Sequence, residues 1–319
     1  MRPLSSLKHV LIENQIVVVL LAMVLGLLFP ETFQPLKAFS TQLLIVVFFA
    51  SSIRLSIEEV TSYVRDKKLM VWANLFMLGI LPLALYAPVA MIGRFFQAEW
   101  LEPWALALLI FGAVPTGMTI ALIADFIGGV TSLALVITTT TSLLAPLTIP
   151  FIFKLTVGQY VPIPVVSMFW SLALTIIAPF FMAMLVKKSA PRFVNRWGEW
   201  LRGISVIAFG LLIAGIVAET GGASLLRWEW RDGVVLLGAI GWMGALTWGL
   251  YRLLSWRTGS ERLTVALCMI YMNNTLALFI ANRFFPESGA LPKLLLLLLA
   301  ANILLFPIKR EAKKLMLVR

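Results

Sequence analysis

Apolar residues along this chain are gathered into long segments that are separated by short polar stretches. Each segment runs for about 20 residues, the length that an α-helix needs to cross the hydrocarbon core of a membrane. The alternating apolar and polar positions that are typical of strands are absent. The pattern predicts ten spans, at residues 14–29, 36–53, 69–93, 103–125, 131–155, 164–186, 200–218, 233–254, 262–283 and 290–308.

The overall composition supports this interpretation. Hydrophobic residues make up 61% of the 319 positions and charged residues only 13%, whereas a soluble domain carries about a quarter charged residues. The mean hydropathy is +0.96. We therefore predict an all-α polytopic membrane protein with the lipid bilayer as its surroundings.

The net charge of +11 is distributed unevenly among the segments that connect the spans. If these segments are assigned alternately to two sides, 19 of the 26 Lys and Arg residues fall on the side of the N-terminal arm and 7 on the other. Cytoplasmic loops carry such an excess of basic residues. We therefore expect a multi-pass protein of the cytoplasmic (inner) membrane with both termini in the cytoplasm, and no nucleic-acid partner.

Ten spans divide into two halves of five, at residues 1–160 and 161–319. Because five is odd, the second half must insert upside down relative to the first, which is the inverted-repeat arrangement of many secondary transporters. The fourth span of each half is interrupted, by Val114-Pro115-Thr116-Gly117 in one and by Met272-Asn273-Asn274-Thr275 in the other. Interruptions at equivalent positions favour such a repeat.

The two interruptions carry the candidate solute site. Proline within a helix removes one backbone hydrogen bond, and lipid offers the freed groups no partner. A break is therefore expected beside a cavity, where half-helix ends direct their dipoles at a substrate. The candidate solute-binding residues are Pro115, Thr116, Gly117, Thr119, Asn273, Asn274 and Thr275.

Each interruption also has a simpler explanation. Pro115 alone is consistent with an ordinary proline kink, and one buried asparagine can join two helices by a hydrogen bond worth about 0.6 kcal/mol. Adjacent Asn273 and Asn274, however, point about 100° apart on a helix. One packing interface satisfies both amides less readily than an unwound segment that lines a cavity.

Span 5 contains five consecutive hydroxyl residues, at positions 138–142. Such side chains can bond to carbonyl groups of their own helix, which is the main interpretation for each of them. Asp125 is the carboxylate at the junction of spans 4 and 5, where solvation in a loop is its simpler role. Thr138, Asn273 and Asp125 form the candidate set for a cation or proton site.

Two blocks of sequence resemble the bile acid:sodium symporter family. The first, at 113–119, 128–135 and 138–150, is similar to spans 4 and 5 of that family, and the second, at 271–277 with Phe284 and Phe285, is similar to its span 9. The resemblance implies a core of spans 3–5 and 8–10 in which the broken helices 4 and 9 cross. Spans 1, 2, 6 and 7 would form a panel, with the substrate held between core and panel.

The resemblance also implies where sodium would bind, and here the chain departs from the family. Aligned without gaps, the sodium-binding positions fall on Met77, Ile120, Ala121, Ala134, Thr138, Met269 and Asn273. Only Thr138 and Asn273 retain a side-chain oxygen, whereas hard cations prefer several oxygen ligands. We expect no cofactor, no sodium at these positions, and either proton coupling or uniport; an alignment shifted in register is the alternative.

These features favour a secondary active transporter of a small organic solute, with anions preferred because members of that family carry bile acids and other organic anions. Metalloid efflux of the arsenite-exporter type is a second hypothesis, although that family uses a cysteine in span 4 and Cys268 lies in span 9. A non-transporting membrane scaffold or receptor is a third. An intramembrane enzyme or a metal site is not indicated, since His9 is the only histidine and paired intramembrane carboxylates are lacking.

Overall fold

The computed structural model describes residues 15–53, 63, 66–117, 120–220 and 229–301. These residues form twelve helices and a short 3-10 turn at Glu99–Leu101, with no β-strand among them. The helices are α1 (Gln15–Leu28), α2 (Pro30–Ser52), α3 (Lys67–Phe95), α4 (Glu102–Ala113), α5 (Ile120–Phe126), α6 (Thr131–Thr156), α7 (Val165–Ser189), α8 (Pro191–Thr220), α9 (Trp230–Leu253), α10 (Gly259–Ile270), α11 (Asn274–Phe284) and α12 (Ala290–Ala301).

Five helices in the described ranges, α2, α3, α6, α7 and α9, are long and apolar enough to cross a membrane by length and composition. This confirms the prediction of an all-helical chain with several membrane spans. Helix α12 is shorter but also apolar, as is most of α1, while α4–α5 and α10–α11 are the halves of interrupted pairs. A helix lies over each of the ten predicted spans, and the count of ten membrane crossings stays a prediction.

The helices divide into two compact units. One comprises Met1–Leu55 and Trp170–Trp228, and the other comprises Ser56–Phe169 and Glu229–Arg319. We call them the panel unit and the core unit, because they hold spans 1, 2, 6 and 7 and spans 3–5 and 8–10, the division that the family resemblance implies. The two repeats at 1–160 and 161–319 stay a prediction, since each unit draws helices from both halves.

In the panel unit, the long helix α8 packs against α1 and α2. The approach is close where glycine allows it, because a Cβ added to Gly26 of α1 would lie 2.5 Å from the carbonyl oxygen of Ala214. Lys37 forms an ion pair with Glu219 near the end of α8. Small residues at such contacts are typical of helices that pack inside membranes.

In the core unit, α3 packs against α4 and approaches α6 near its middle. A Cβ added to Gly112 of α4 would lie 2.8 Å from Cα of Pro82, so the two backbones are nearly in contact. Residues Phe76–Ile80 of α3 form a π-helical turn, a widening that often accompanies functional sites. Met77 lies in this turn and is buried.

A buried carboxylate joins three helices at one end of the core unit. Asp232, in the first turn of α9, forms a capping box with Glu229. Its Oδ1 accepts hydrogen bonds from Nε1 of Trp104 at 2.8 Å and from Nζ of Lys293 at 2.7 Å. The beginnings of α4, α9 and α12 are thereby held together by one charged, fully paired cluster.

A second charged cluster lies at the beginnings of α3 and α10, just beyond the end of α9. The carboxylate of Asp66 caps α3 by accepting a hydrogen bond from the backbone N–H of Leu69 at 3.1 Å, and it also pairs with Arg257. Thr258 and Glu261 form the capping box that begins α10. The beginnings of α3 and α10 are thus tied at this end.

Candidate functional site

The first interruption ends α4 at Ala113 and precedes α5. Val114 has an extended conformation with φ −74° and ψ 151°, because the residue before a proline is driven out of the helical region. Pro115 supplies no N–H to continue the helical ladder. The predicted break in span 4 is therefore present, with its cause in Pro115.

The second interruption separates α10 from α11. Tyr271 leaves the helical region with ψ 84°, and α11 resumes at Asn274. The side-chain Oδ1 of Asn273 accepts a hydrogen bond from the backbone N–H of Leu276 at 3.1 Å. Asn273 is the N-cap of the second half-helix, a position that asparagine fills well, and the predicted break in span 9 is also present.

The two interrupted segments bind each other directly. The N–H of Gly117 donates to the carbonyl oxygen of Tyr271 at 2.8 Å, and the N–H of Asn273 donates to the carbonyl oxygen of Pro115 at 2.9 Å. Thr116 and Met272 form an antiparallel bridge between them. Residues 115–117 and 271–273, which we call the paired breaks, therefore satisfy part of each other's freed backbone groups, as a membrane interior requires.

Glycine at position 117 makes this pairing possible. A Cβ added there would lie 2.7 Å from Cδ1 and Cε1 of Tyr271 and 3.0 Å from the carbonyl oxygen of Met272. Carbon atoms do not approach so closely without displacing one another. Any larger residue at this position would push the two segments apart.

The hydroxyl of Thr116 binds the last turn of α10. Its Oγ1 lies 3.1 Å from the carbonyl oxygen of Cys268, to which it donates, and 3.7 Å from Sδ of Met77. Thr116 is 1% exposed, so this hydroxyl is enclosed by protein. The structure thus uses Thr116 to tie α10 to the first break.

The other predicted solute-binding residues differ in how far they are exposed. Pro115, Gly117, Asn273 and Thr275 are buried, whereas Asn274 at the start of α11 is partly exposed. Thr119 lies outside the described residues. Among the candidates that the structure describes, Asn274 is therefore the one with a partly exposed side chain.

The four threonines at positions 138–141 of span 5 bond within their own helix, whereas the buried Oγ of Ser142 has no hydrogen-bond partner. Thr138 donates to the carbonyl oxygen of Ala134 and Thr139 to that of Leu135, both at 2.8 Å. Thr141 donates to the carbonyl oxygen of Ile137 at 2.7 Å. The simpler interpretation of these residues accounts for their geometry, and Thr138 is 2% exposed.

The positions that align with the family's sodium ligands are filled mainly by enclosed apolar side chains. Five of the seven are buried hydrophobic residues: Met77, Ile120, Ala121, Ala134 and Met269. Of the remaining two oxygens, Oδ1 of Asn273 caps α11 and Oγ1 of Thr138 bonds within α6. A hard cation would find few side-chain oxygen ligands there.

Asp125 and Cys268 are in contrasting surroundings. Asp125 is exposed near the end of α5, where Gly128 follows with a positive φ of 73°. Cys268 is fully buried in α10. Within the described part of the chain, no three His, Cys, Asp or Glu side chains are grouped so that they could hold a metal ion.

One residue near the site was not singled out from the sequence. Thr264 of α10 accepts a hydrogen bond at its Oγ1 from the N–H of Val130, which precedes α6, at 2.7 Å. A Cβ added to Gly129 would lie 2.7 Å from the same oxygen. In the sequence, the Gly128-Gly129 pair indicates that another segment approaches closely. That this segment contains Thr264 could not be inferred, because Thr264 lies far away along the chain.

Comparison with known proteins agrees with these features. The model of the sodium bile acid symporter family matches residues 41–226, which is more than half of the chain. A relative from Bacillus subtilis (strain 168), described as an uncharacterized sodium-dependent transporter YocS, is 23% identical over 195 residues. The match spans 61% of this chain and 59% of that relative.

Proposed function

The chain belongs to the sodium bile acid symporter family, and we propose that it is a secondary transporter of a small organic solute. On this proposal it resides in the cytoplasmic membrane and works by alternating access, with the solute bound at the paired breaks. Organic anions are the favoured solutes. A transporter of this kind performs no covalent chemistry on its solute and needs no cofactor.

The observation that carries the proposal is the pairing of the two breaks. Two half-helix pairs, α4–α5 and α10–α11, meet through the backbone bonds of Gly117 and Asn273. Irregular backbone is tolerated within membrane helices only where protein or a cavity satisfies it. Broken helices at equivalent positions in two halves are the feature by which secondary transporters build their binding sites.

The beginning of α11 supports an anionic solute. The N–H of Leu276 is occupied by the side chain of Asn273. The N–H groups of Asn274 and Thr275, in the same first turn, have no carbonyl partner within their own helix. Together with the positive end of the helix dipole, these groups suit a carboxylate.

The two charged clusters support the inverted repeat. Asp66 begins span 3 and pairs with Arg257 at the start of span 9. Asp232 begins span 8 and binds Trp104 at the start of span 4. In an inverted repeat, span 3 corresponds to span 8 and span 4 corresponds to span 9. The contact between spans 3 and 9 is then equivalent to the contact between spans 8 and 4, as two inverted halves at 1–160 and 161–319 require. The proposal includes ten crossings with both termini in the cytoplasm, which the distribution of Lys and Arg supports.

Transport on this proposal does not require sodium at the positions that align with the family's sites. Met77, Ala134 and Met269 offer no side-chain oxygen and are buried. The solute would then move alone or with protons. The Bacillus relative is described as sodium-dependent, so on this proposal the two proteins would differ in their ion requirement.

Uptake into proteoliposomes tests the proposal. Purified protein would be supplied with radiolabelled organic anions under an inward sodium gradient, under an inward proton gradient, and with both cations replaced by choline. We expect saturable uptake of at least one anion that persists without sodium. Protein-free liposomes measure the leak.

Two results would count against the proposal in different ways. Saturable uptake that stops when sodium is removed would contradict the coupling but leave the transporter assignment standing. If no organic anion is transported while arsenite uptake is saturable and lost in Cys268→Ser, the solute class is wrong, because the buried thiol of Cys268 would then be in use.

A further inference from the structure

A large open cavity lies in the core unit, away from the paired breaks, where α3 ends and α4 begins. Its volume is about 830 Å³, within the range of about 300–1,000 Å³ that is usual for small-molecule sites. Part of its wall is apolar, formed by residues such as Ala105, Leu106 and Val157. The distribution of Lys and Arg predicts that this end faces away from the cytoplasm.

One wall of the cavity carries a positioned guanidinium group. Arg94, in the last turn of α3, stacks with its Cζ 4.7 Å from the ring centroid of Tyr160. The phenol of Tyr86 lines the same cavity. The contact with the ring favours a guanidinium orientation that leaves its N–H groups available for two-pronged recognition of a carboxylate.

Two carboxylates, Glu99 and Glu102, line the same cavity. Glu102 lies in the first turn of α4, and Glu99 begins the preceding 3-10 turn. Among the ion pairs of the described residues, none contains Arg94, Glu99 or Glu102. The cavity therefore presents one positive and two negative side chains, all exposed, with no ion pair between Arg94 and either carboxylate.

Gln97 at the edge of the cavity has a positive φ of 51°, the only such value among the described residues other than glycine. It follows the end of α3, where a helix most often places glycine in this left-handed conformation. Glutamine instead supplies an amide beside the cavity. Strained backbone of this kind is concentrated at functional sites.

We propose that this cavity binds a zwitterionic organic solute with an apolar body. The solute's carboxylate binds Arg94, its ammonium group binds Glu99 and Glu102, and its body packs against the apolar wall. Helix dipoles explain why Arg94 ends α3 and Glu102 begins α4, but they do not explain why unpaired charges of both signs share one cavity. A solute with one charge can pair with only one of the two kinds of side chain, whereas a zwitterion pairs with both.

Three fluorescent probes with one apolar body test the proposal on full-length protein in detergent. They are 1-naphthylalanine, which is a zwitterion, 3-(1-naphthyl)propionate, which lacks the ammonium group, and 2-(1-naphthyl)ethylamine, which lacks the carboxylate. Equilibrium dialysis would measure the affinity of each. We expect the zwitterion to bind at least ~10-fold more tightly than either singly charged probe, since each lacks one charge-assisted contact. Equal affinities, or no saturable binding of the zwitterion, would overturn the proposal.

Substitutions in the cavity test which side chain binds which charged group of the probe. Arg94→Gln is expected to weaken naphthylalanine and naphthylpropionate ~10-fold or more and to leave naphthylethylamine unaffected. Glu99→Gln combined with Glu102→Gln is expected to weaken naphthylalanine and naphthylethylamine but not naphthylpropionate. Arg283→Gln and Glu31→Gln are the controls, because both side chains are exposed and neither lines the cavity.

The pattern across the probes distinguishes recognition from a folding defect. A misfolded variant would bind none of the three probes. If Arg94→Gln behaves in this way, Arg94→Lys replaces it. Arg94→Lys keeps the positive charge and is expected to weaken carboxylate binding less than the loss of the charge would. Losses that do not follow the charge of the probe in folded variants would refute the assignment. The experiment measures binding alone, so its outcome is independent of whether the paired breaks transport a solute.

Discussion

Replacing Gly117 with alanine tests whether the two breaks must touch. The added methyl carbon would lie 2.7 Å from two ring atoms of Tyr271 and 3.0 Å from the carbonyl oxygen of Met272. Overpacking of this kind costs about 1–3 kcal/mol. Separating the segments also weakens the buried bonds of Gly117 to Tyr271 and of Asn273 to Pro115, each worth about 0.5–1.5 kcal/mol. We expect the free energy of unfolding to fall by about 2–5 kcal/mol.

Thermal unfolding in detergent measures this loss through the fluorescence of the 11 tryptophans. The expected decrease corresponds to a Tm lower by about 5–15 °C. Uptake into proteoliposomes should fall in parallel, because the half-helix ends would no longer hold their spacing. Combining Gly117→Ala with Tyr271→Ala removes the ring and should restore part of the loss, which a double-mutant cycle would reveal.

Gly241→Ala in α9 is the matched control. It lies in the same core unit, and no heavy atom comes within 4 Å of the Cβ that it would gain. Alanine is the better helix former, so this change should leave Tm unchanged or raise it slightly. If Gly117→Ala were as stable and as active as Gly241→Ala, the claim that the breaks are held in contact would be refuted.

Three further substitutions probe the core unit. Asp232→Ala should lower the free energy of unfolding by about 3 kcal/mol, because it leaves the ammonium group of Lys293 without its partner. Adding Lys293→Met to this variant should recover part of the loss. If the effects of the two substitutions simply add, Asp232 and Lys293 do not stabilise the protein as a pair. Thr264→Val should cost about 1–2 kcal/mol by leaving the N–H of Val130 unpaired, whereas Thr264→Ser should behave as wild type in the same unfolding assay. Thr138→Val should change stability by less than about 1 kcal/mol, since its hydroxyl bonds only within α6, and should leave the ion dependence of uptake unchanged. A changed ion dependence would reveal a cation site at Thr138.

Local chemistry explains why the breaks could be predicted from sequence. Pro115 cannot donate a hydrogen bond and forces Val114 out of the helix, and these effects depend only on neighbouring residues. Asn273 and Asn274 are costly in the middle of an apolar helix unless the backbone changes there. The threonine hydroxyls at positions 138–141 bond within their own helix, as a local rule also predicts.

The contacts between distant segments could not be predicted in the same way. Nothing near Gly117 in sequence indicates that its N–H binds Tyr271, or that the hydroxyl of Thr116 reaches the carbonyl group of Cys268. These partners depend on how α4 and α10 pack, which the apolar pattern of each helix leaves open. The π turn that contains Met77 is likewise set by packing, because its sequence is compatible with an ordinary helix.

The most direct test of the central claim compares the wild type with Asn273→Ala combined with Asn274→Ala in a sodium-free exchange assay. Both proteins would be reconstituted in proteoliposomes loaded with the transported anion, and the exchange of labelled for unlabelled solute would be measured after equal amounts of folded protein are confirmed. If the paired breaks are the solute site, exchange should be lost, or the solute concentration that gives half-maximal exchange should rise by ~10-fold or more. The reason is that the double variant lacks a helix cap and the adjacent amide. Exchange at the wild-type rate and affinity in the double variant would contradict the account.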